Sequence, residues 1–200
     1  MIDSAALRAR LDGVRERIAR AAGRAGRDPA TIRLVAVSKT FPPDYVRAAA
    51  EAGQLHFGEN KVQEALEKMG ATPDLALVWH LVGHLQSNKA RKAAAHFDTI
   101  HSVDDGALVA KLEEAAAAAS RRLELLVQVD LAREPTKRGV LPENLAAVLA
   151  AMRGSAAVRM TGLMLLPPAV ADPEASRPYF ASLRRLRDDL VAHGQDAATP

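Results

Sequence analysis

Residues 32–40 read IRLVAVSKT, an apolar run that delivers Ser38 and Lys39 to the turn FPPD. A lysine partly withdrawn from water has its charged form disfavoured. The neutral amine that results is what Schiff-base chemistry with an aldehyde needs. The competing reading is a lysine that snorkels from a strand end to solvent, and position alone does not choose between them. Other chemistry-bearing residues gather where further apolar runs stop. They are Gly58-Glu59-Asn60, then His80, then the segment from His84 to Lys89, then His101 to Asp104. Asp130 with Thr136-Lys137-Arg138-Gly139 follows, and Met164 precedes Pro167-Pro168. That convergence is more informative than any single residue.

Each of these signals also has a plain structural reading. Asn60 reads as a helix cap or as a side chain reaching into a site, and an isolated Gly-Glu-Asn is commonly a turn. Ser87 and Asn88 at a helix start, with Lys89, Arg91 and Lys92 behind them, would suit an anion. An ordinary cap with a solvated basic face fits that pattern as well. His80 lies inside an apolar run and reads as a hydrogen-bonded core histidine. His80, His84 and His101 lack a metal-ligand spacing such as HExxH. No metal site is expected.

The elements that would position these residues follow from periodicity. Leu7, Leu11, Val14 and Ile18 recur at helical spacing behind a cap at Asp3 or Ser4. Thereafter strands are expected at 32–38, 54–58, 76–83, 98–103, 123–131 and 158–166. Helices are expected at 43–52, 60–69, 87–97, 105–120, 142–152 and 173–193. The strands are apolar throughout rather than alternating, which implies a parallel sheet covered by helices. Neither GxGxxG after the first strand nor GxxxxGK[ST] occurs, so both nucleotide-binding fingerprints are missing. A β/α barrel is favoured, with active-site residues at the C-terminal strand ends. A closed barrel needs eight strands and six are counted.

Composition narrows the function classes. The 200 residues suit one domain, 1–200, and the net charge is only +3. Nucleic-acid binding is therefore not demanded by charge, and four Phe and one Trp offer few stacking surfaces. The absence of cysteine rules out disulfides and thiolate chemistry. No apolar run approaches the ~20 residues of a membrane span, and the N-terminus lacks a signal-peptide core. A cytoplasmic protein with no membrane or nucleic-acid partner is expected.

Five segments, VAVSKT at 35–40, HFGENKVQEA at 56–65, WHLVGHLQSNKAR at 79–91, TKRG at 136–139 and TGLMLL at 161–166, together resemble the pyridoxal phosphate homeostasis protein family. That family is a single-domain relative of the alanine racemase N-terminal barrel. The match runs in order along nearly the whole chain. The resemblance implies a TIM-type β/α barrel binding pyridoxal 5′-phosphate as a Schiff base on Lys39, with Asn60 and Met164 beside the cofactor. It implies a role in intracellular vitamin B6 homeostasis, with no robust catalysis. A pyridoxal-phosphate-dependent amino-acid racemase is the alternative.

The chain departs from the family pattern at its end. Members continue with a Ser-x-Gly-Met-Ser strand and an Arg-x-Gly-Thr strand, which supply the phosphate cup and the arginine facing the pyridine nitrogen. The sequence reads GQDAATP where the first of these should start. The expectation is a C-terminally truncated barrel lacking its last two strands, with no phosphate ligand assignable within 1–200. A monomer is expected, with association through the exposed barrel edges.

Overall fold

The apolar runs become strands and the segments between them become helices, in strict alternation. The computed structural model describes residues 2–134 and 138–193. Its contacts divide into two compact units, Met1–His80 and Leu81–Thr199, and each is described by itself. The strands are β1 (Ala36–Val37), β2 (His56–Glu59), β3 (Val78–Leu81), β4 (Thr99–Val103), β5 (Leu123–Gln128) and β6 (Val158–Met164). The helices are α1 (Ser4–Arg24), α2 (Pro43–Glu51), α3 (Val62–Ala71), α4 (Ala90–His96), α5 (Gly106–Ala118), α6 (Leu145–Met152) and α7 (Arg177–Ala192). The strand order is that of the chain, and β1–β2, β4–β5 and β5–β6 pair in parallel. The six expected strands are all present, and no seventh occurs among the described residues.

In the first unit, the Asp3 carboxylate caps α1 by accepting from the Ala6 amide. Leu7, Leu11 and Ile18 are half-buried. Arg8 and Arg15 reach across to donate to the Glu51 and Ala52 carbonyls at the end of α2. Cations there satisfy carbonyls that the helix leaves open. Phe57 and Trp79 are buried with their ring centroids 5.8 Å apart. Strand β1 is much shorter than the expected 32–38. The Gln54 side chain, rather than a sheet ladder, donates to the Leu34 carbonyl. That removes the pairing which would have lengthened the strand.

In the second unit, Leu123, Leu125 and Val127 are buried while Glu124 and Leu126 are half-buried, the period-two pattern of a strand with distinct faces. Strand β6 carries a bulge. Leu125 pairs with Met160 but Leu126 pairs with Gly162, so Thr161 is an extra residue. Helix α5 supplies Glu113, whose carboxylate accepts from the amides of Ala156, Ala157 and Val158 at the start of β6. Burial opposes ionisation of Glu113, but these three donors overcome it and hold the carboxyl below its usual range. Gly139, at φ +139°, lays its backbone beside the end of β5. A Cβ there would meet the Asp130 nitrogen at 2.8 Å, which fits glycine in the turn read from TKRG. Thr136 and Lys137 of that turn lie outside the described residues.

Replacing Glu113 by Ala leaves three strand-entry amides without their acceptor. The expected loss is about 1–3 kcal/mol of unfolding free energy in urea titrations, with Glu113→Gln losing less because its amide oxygen still accepts.

Candidate functional site

The first unit builds its site at the tip of β1. The ladder sets Ala36 opposite Phe57 and Val37 opposite Gly58, and the Ser38 amide extends it by donating to the Gly58 carbonyl at 2.9 Å. Ser38 and Glu59 then stand side by side, and the Ser38 hydroxyl donates to Glu59 Oε1 at 2.6 Å. Lys39 and Asn60 follow directly, Lys39 in the turn after β1 and Asn60 just beyond the end of β2. Lys39 is exposed and Asn60 half-buried. Two of the three residues singled out for a cofactor thus lie just past the ends of the paired strands β1 and β2. Asn60 is not a cap: the residue at the cap position of α3 is Lys61.

After Lys39 the chain reverses sharply. Thr40 sits at φ +68°, the left-handed region that non-glycine residues rarely occupy. Its amide donates to Glu64 Oε1 at 2.6 Å, and the Phe41 amide returns to the Ser38 carbonyl at 3.1 Å.

The buried lysine of this unit is Lys68 on α3, while Lys39 is exposed rather than desolvated. Lys68 Nζ donates to the Ser38 carbonyl at 2.6 Å, to Glu59 Oε1 at 2.7 Å and to Glu64 Oε1 at 2.9 Å. An ammonium has three N–H donors, and each finds an acceptor. The side chains of Lys68 and Glu59 are 4% and 0% exposed. Burying such charges is tolerable only with this degree of pairing. The pairing is incomplete at one atom, since Glu59 Oε2 is buried with no hydrogen-bond partner. The Lys68 ammonium, followed by the Thr40 amide, holds the Glu64 carboxyl below its usual range.

Sequence reasoning passed over Lys68 because a lysine in a helix normally faces water. Two signals were available. Lys68 follows Glu64 by one turn, and it continues the buried series Val62, Ala65, Lys68, so it belongs to the inward stripe. His80 is the hydrogen-bonded core histidine expected: it is buried, and its Nε2 lies 3.0 Å from His56 Nδ1. One of those rings must be neutral to accept the bond.

Met164, the third residue singled out, ends β6 in the second unit and is half-buried. The Thr161 bulge decides its direction. Simple alternation would put Met164 on the face of Val158 and Met160. The bulge shifts the phase, so Met164 pairs with Gln128 on the face of Glu124 and Leu126. In the same unit His84, Ser87, Asp104, Asp105 and Arg138 line a cavity of about 350 Å³. Burial pushes the Asp104 carboxyl up, while nearby His84 and Arg138 pull it down. Ser87 opens a single 3-10 turn, Ser87–Lys89, ahead of α4, and the residues at the two cap positions, Gln86 and Lys89, make no side-chain cap. The helix start read from SNKAR is therefore not an amide-lined N-terminus of a regular helix. Among the described residues no helix is long and apolar enough to cross a membrane.

The alanine racemase N-terminal domain family model matches residues 2–199. The chain is 45% identical over 177 residues to the pyridoxal phosphate homeostasis protein of Pseudomonas aeruginosa, spanning 88% of this chain and 77% of that protein. It is 40% identical over 181 residues to the protein of the same name in Aquifex aeolicus, spanning 90% and 79%. Among solved structures, PipY of Synechococcus elongatus with PLP bound is similar at 39% identity and a TM-score of 0.80, over 91% of this chain and 85% of that one. The alanine racemase of Clostridium difficile, at 13% identity and a TM-score of 0.70 over 84% of this chain and 47% of that one, shares the fold alone.

The lowered Glu64 carboxyl sets the sign of an acid dependence. Its contribution to stability is fully present above the unfolded glutamate value of about 4.3 and is lost as pH falls through the lower folded value. Urea midpoints measured down to acid pH should fall over that window, and Glu64→Gln should flatten that part of the profile.

Proposed function

The chain belongs to the pyridoxal phosphate homeostasis protein family, and from that premise we propose that it holds pyridoxal 5′-phosphate on Lys39 and serves the homeostasis of that cofactor. The observation that carries the reading is the tip of β1. There one lysine is exposed at a turn whose backbone is fixed on both sides, with Asn60 just past the end of the neighbouring strand β2.

The residues present fit the aldehyde end of such a cofactor. When bound, the group supplies an aldehyde carbon that a neutral lysine amine attacks, with loss of one water and reversal by hydrolysis. Lys39 provides the amine. Its exposure suits a carrier, because a reversibly held aldehyde must enter and leave. Asn60 provides an amide that both donates and accepts hydrogen bonds, suited to a polar ring substituent.

A homeostatic role needs binding and release, whereas racemisation needs acid–base groups on both faces of a substrate. The two tyrosines available for such a role are Tyr45, in α2 with its ring 5.1 Å from Phe41, and Tyr179, in α7. The carrier reading asks nothing of either.

Incubation with pyridoxal 5′-phosphate, borohydride reduction and peptide mapping should give one adduct per chain on Lys39, with Lys39→Ala reduced to background. Adducts spread evenly over exposed lysines such as Lys61, Lys89 and Lys111 would contradict the proposal.

A further inference from the structure

We infer that Lys68, Glu64 and Glu59 are positioning residues for Lys39, acting through the backbone on either side of it. The inference rests on the proposed role of Lys39. Strand β1 has only two residues in its ladder with β2, so the sheet by itself holds the tip weakly. The chain then enters a left-handed residue, Thr40. A strained residue of this kind persists only where its surroundings over-determine it.

The surroundings that do so come from α3 and the end of β2. Ahead of Lys39, the Ser38 carbonyl accepts from Lys68 Nζ at 2.6 Å and the Ser38 hydroxyl donates to Glu59 Oε1 at 2.6 Å. Behind Lys39, the Thr40 amide donates to Glu64 Oε1 at 2.6 Å. Lys68 joins the two carboxylates, donating to Glu59 and Glu64 at 2.7 and 2.9 Å. The peptide groups flanking Lys39 are thereby tied to one charged cluster.

Stability alone is a poor account of that cluster. A buried ion pair is often no better than apolar side chains of the same volume, and this one leaves Glu59 Oε2 without a partner. A hydrophobic residue at position 68 would fill the space at lower cost but would leave the Ser38 carbonyl with the Phe41 amide of its own turn and no donor from α3. What the charges supply that apolar packing does not is direction. They fix where the Cα of Lys39 sits and which way its side chain leaves the strand, and a reacting amine gains most from such pre-alignment.

The test combines two readouts, one of which needs no cofactor. Amide hydrogen exchange at Lys39–Phe41 is followed in the wild type, in Glu64→Ala, and in the double variant Lys68→Met with Glu59→Gln, which leaves no unpaired charge buried. Borohydride-trapped pyridoxal 5′-phosphate on Lys39 is then measured relative to exposed lysines. Both variants should speed exchange at Thr40 about tenfold while amides of β5 and β6 stay protected. The Lys39 share of trapped adduct should fall by a similar factor. Glu64→Gln, whose amide oxygen still accepts from Thr40, should recover most of the protection. If the double variant does not fold, the half-exposed position 64 carries the test. Unchanged Thr40 exchange, or unchanged Lys39 trapping, in a folded Glu64→Ala protein would overturn the inference. Faster exchange in Glu64→Ala with no Lys39 adduct in the wild type would leave the backbone clamp standing and remove the cofactor role.

Discussion

The ammonium of Lys68, held by three acceptors in a space closed to water, is the interaction on which the candidate site depends. Each of its hydrogen bonds ends on a different part of the first unit: the carbonyl that closes β1, the carboxylate that closes β2, and the first turn of α3. Strands end at the C-terminal face of a β/α fold, and loop residues there are usually placed by the scaffold below them. Here the scaffold below is thin, because β1 contributes two paired residues. A charged cluster takes over the work that a longer ladder would do.

That arrangement separates two lysines by task. Lys68 is buried and fully donated, so it is committed to structure. Lys39 is exposed and takes no part in the cluster's hydrogen bonds given above, so its amine is left for chemistry. The second unit relies on ordinary means instead: alternating burial along β5, a carboxylate on the amides that open β6, and a glycine where a side chain would strike the backbone of Asp130. Its one irregularity, the Thr161 bulge, turns Met164 onto the face of Glu124 and Leu126.

Much of this was legible from the residues. Continuous apolar runs of Val, Leu and Ile between helical segments do specify a parallel sheet, and six strands and the helices between them fall where periodicity put them, within a few residues at their ends. The departures have physical causes. Strand 32–38 shrank because a side chain, Gln54, took the Leu34 carbonyl. The face of Met164 could not be read by counting, since one extra residue in β6 reverses every later side chain. Lys68 was hidden because its burial depends on three acceptors brought from 4, 9 and 30 residues away, and only the nearest of these shares its helix.

The measurement that tests this account most directly is the nitrogen-15 NMR signal of the Lys68 side-chain ammonium at neutral pH. Three strong hydrogen bonds in a closed space should give a resolved, slowly exchanging signal, with a coupling across the hydrogen bond to the Ser38 carbonyl. That signal should vanish in Lys68→Met and should broaden in Glu64→Ala. A Lys68 ammonium that exchanges with water as fast as the exposed lysines would contradict the account, because the charge that ties the Ser38 carbonyl to Glu59 and Glu64 would then be missing.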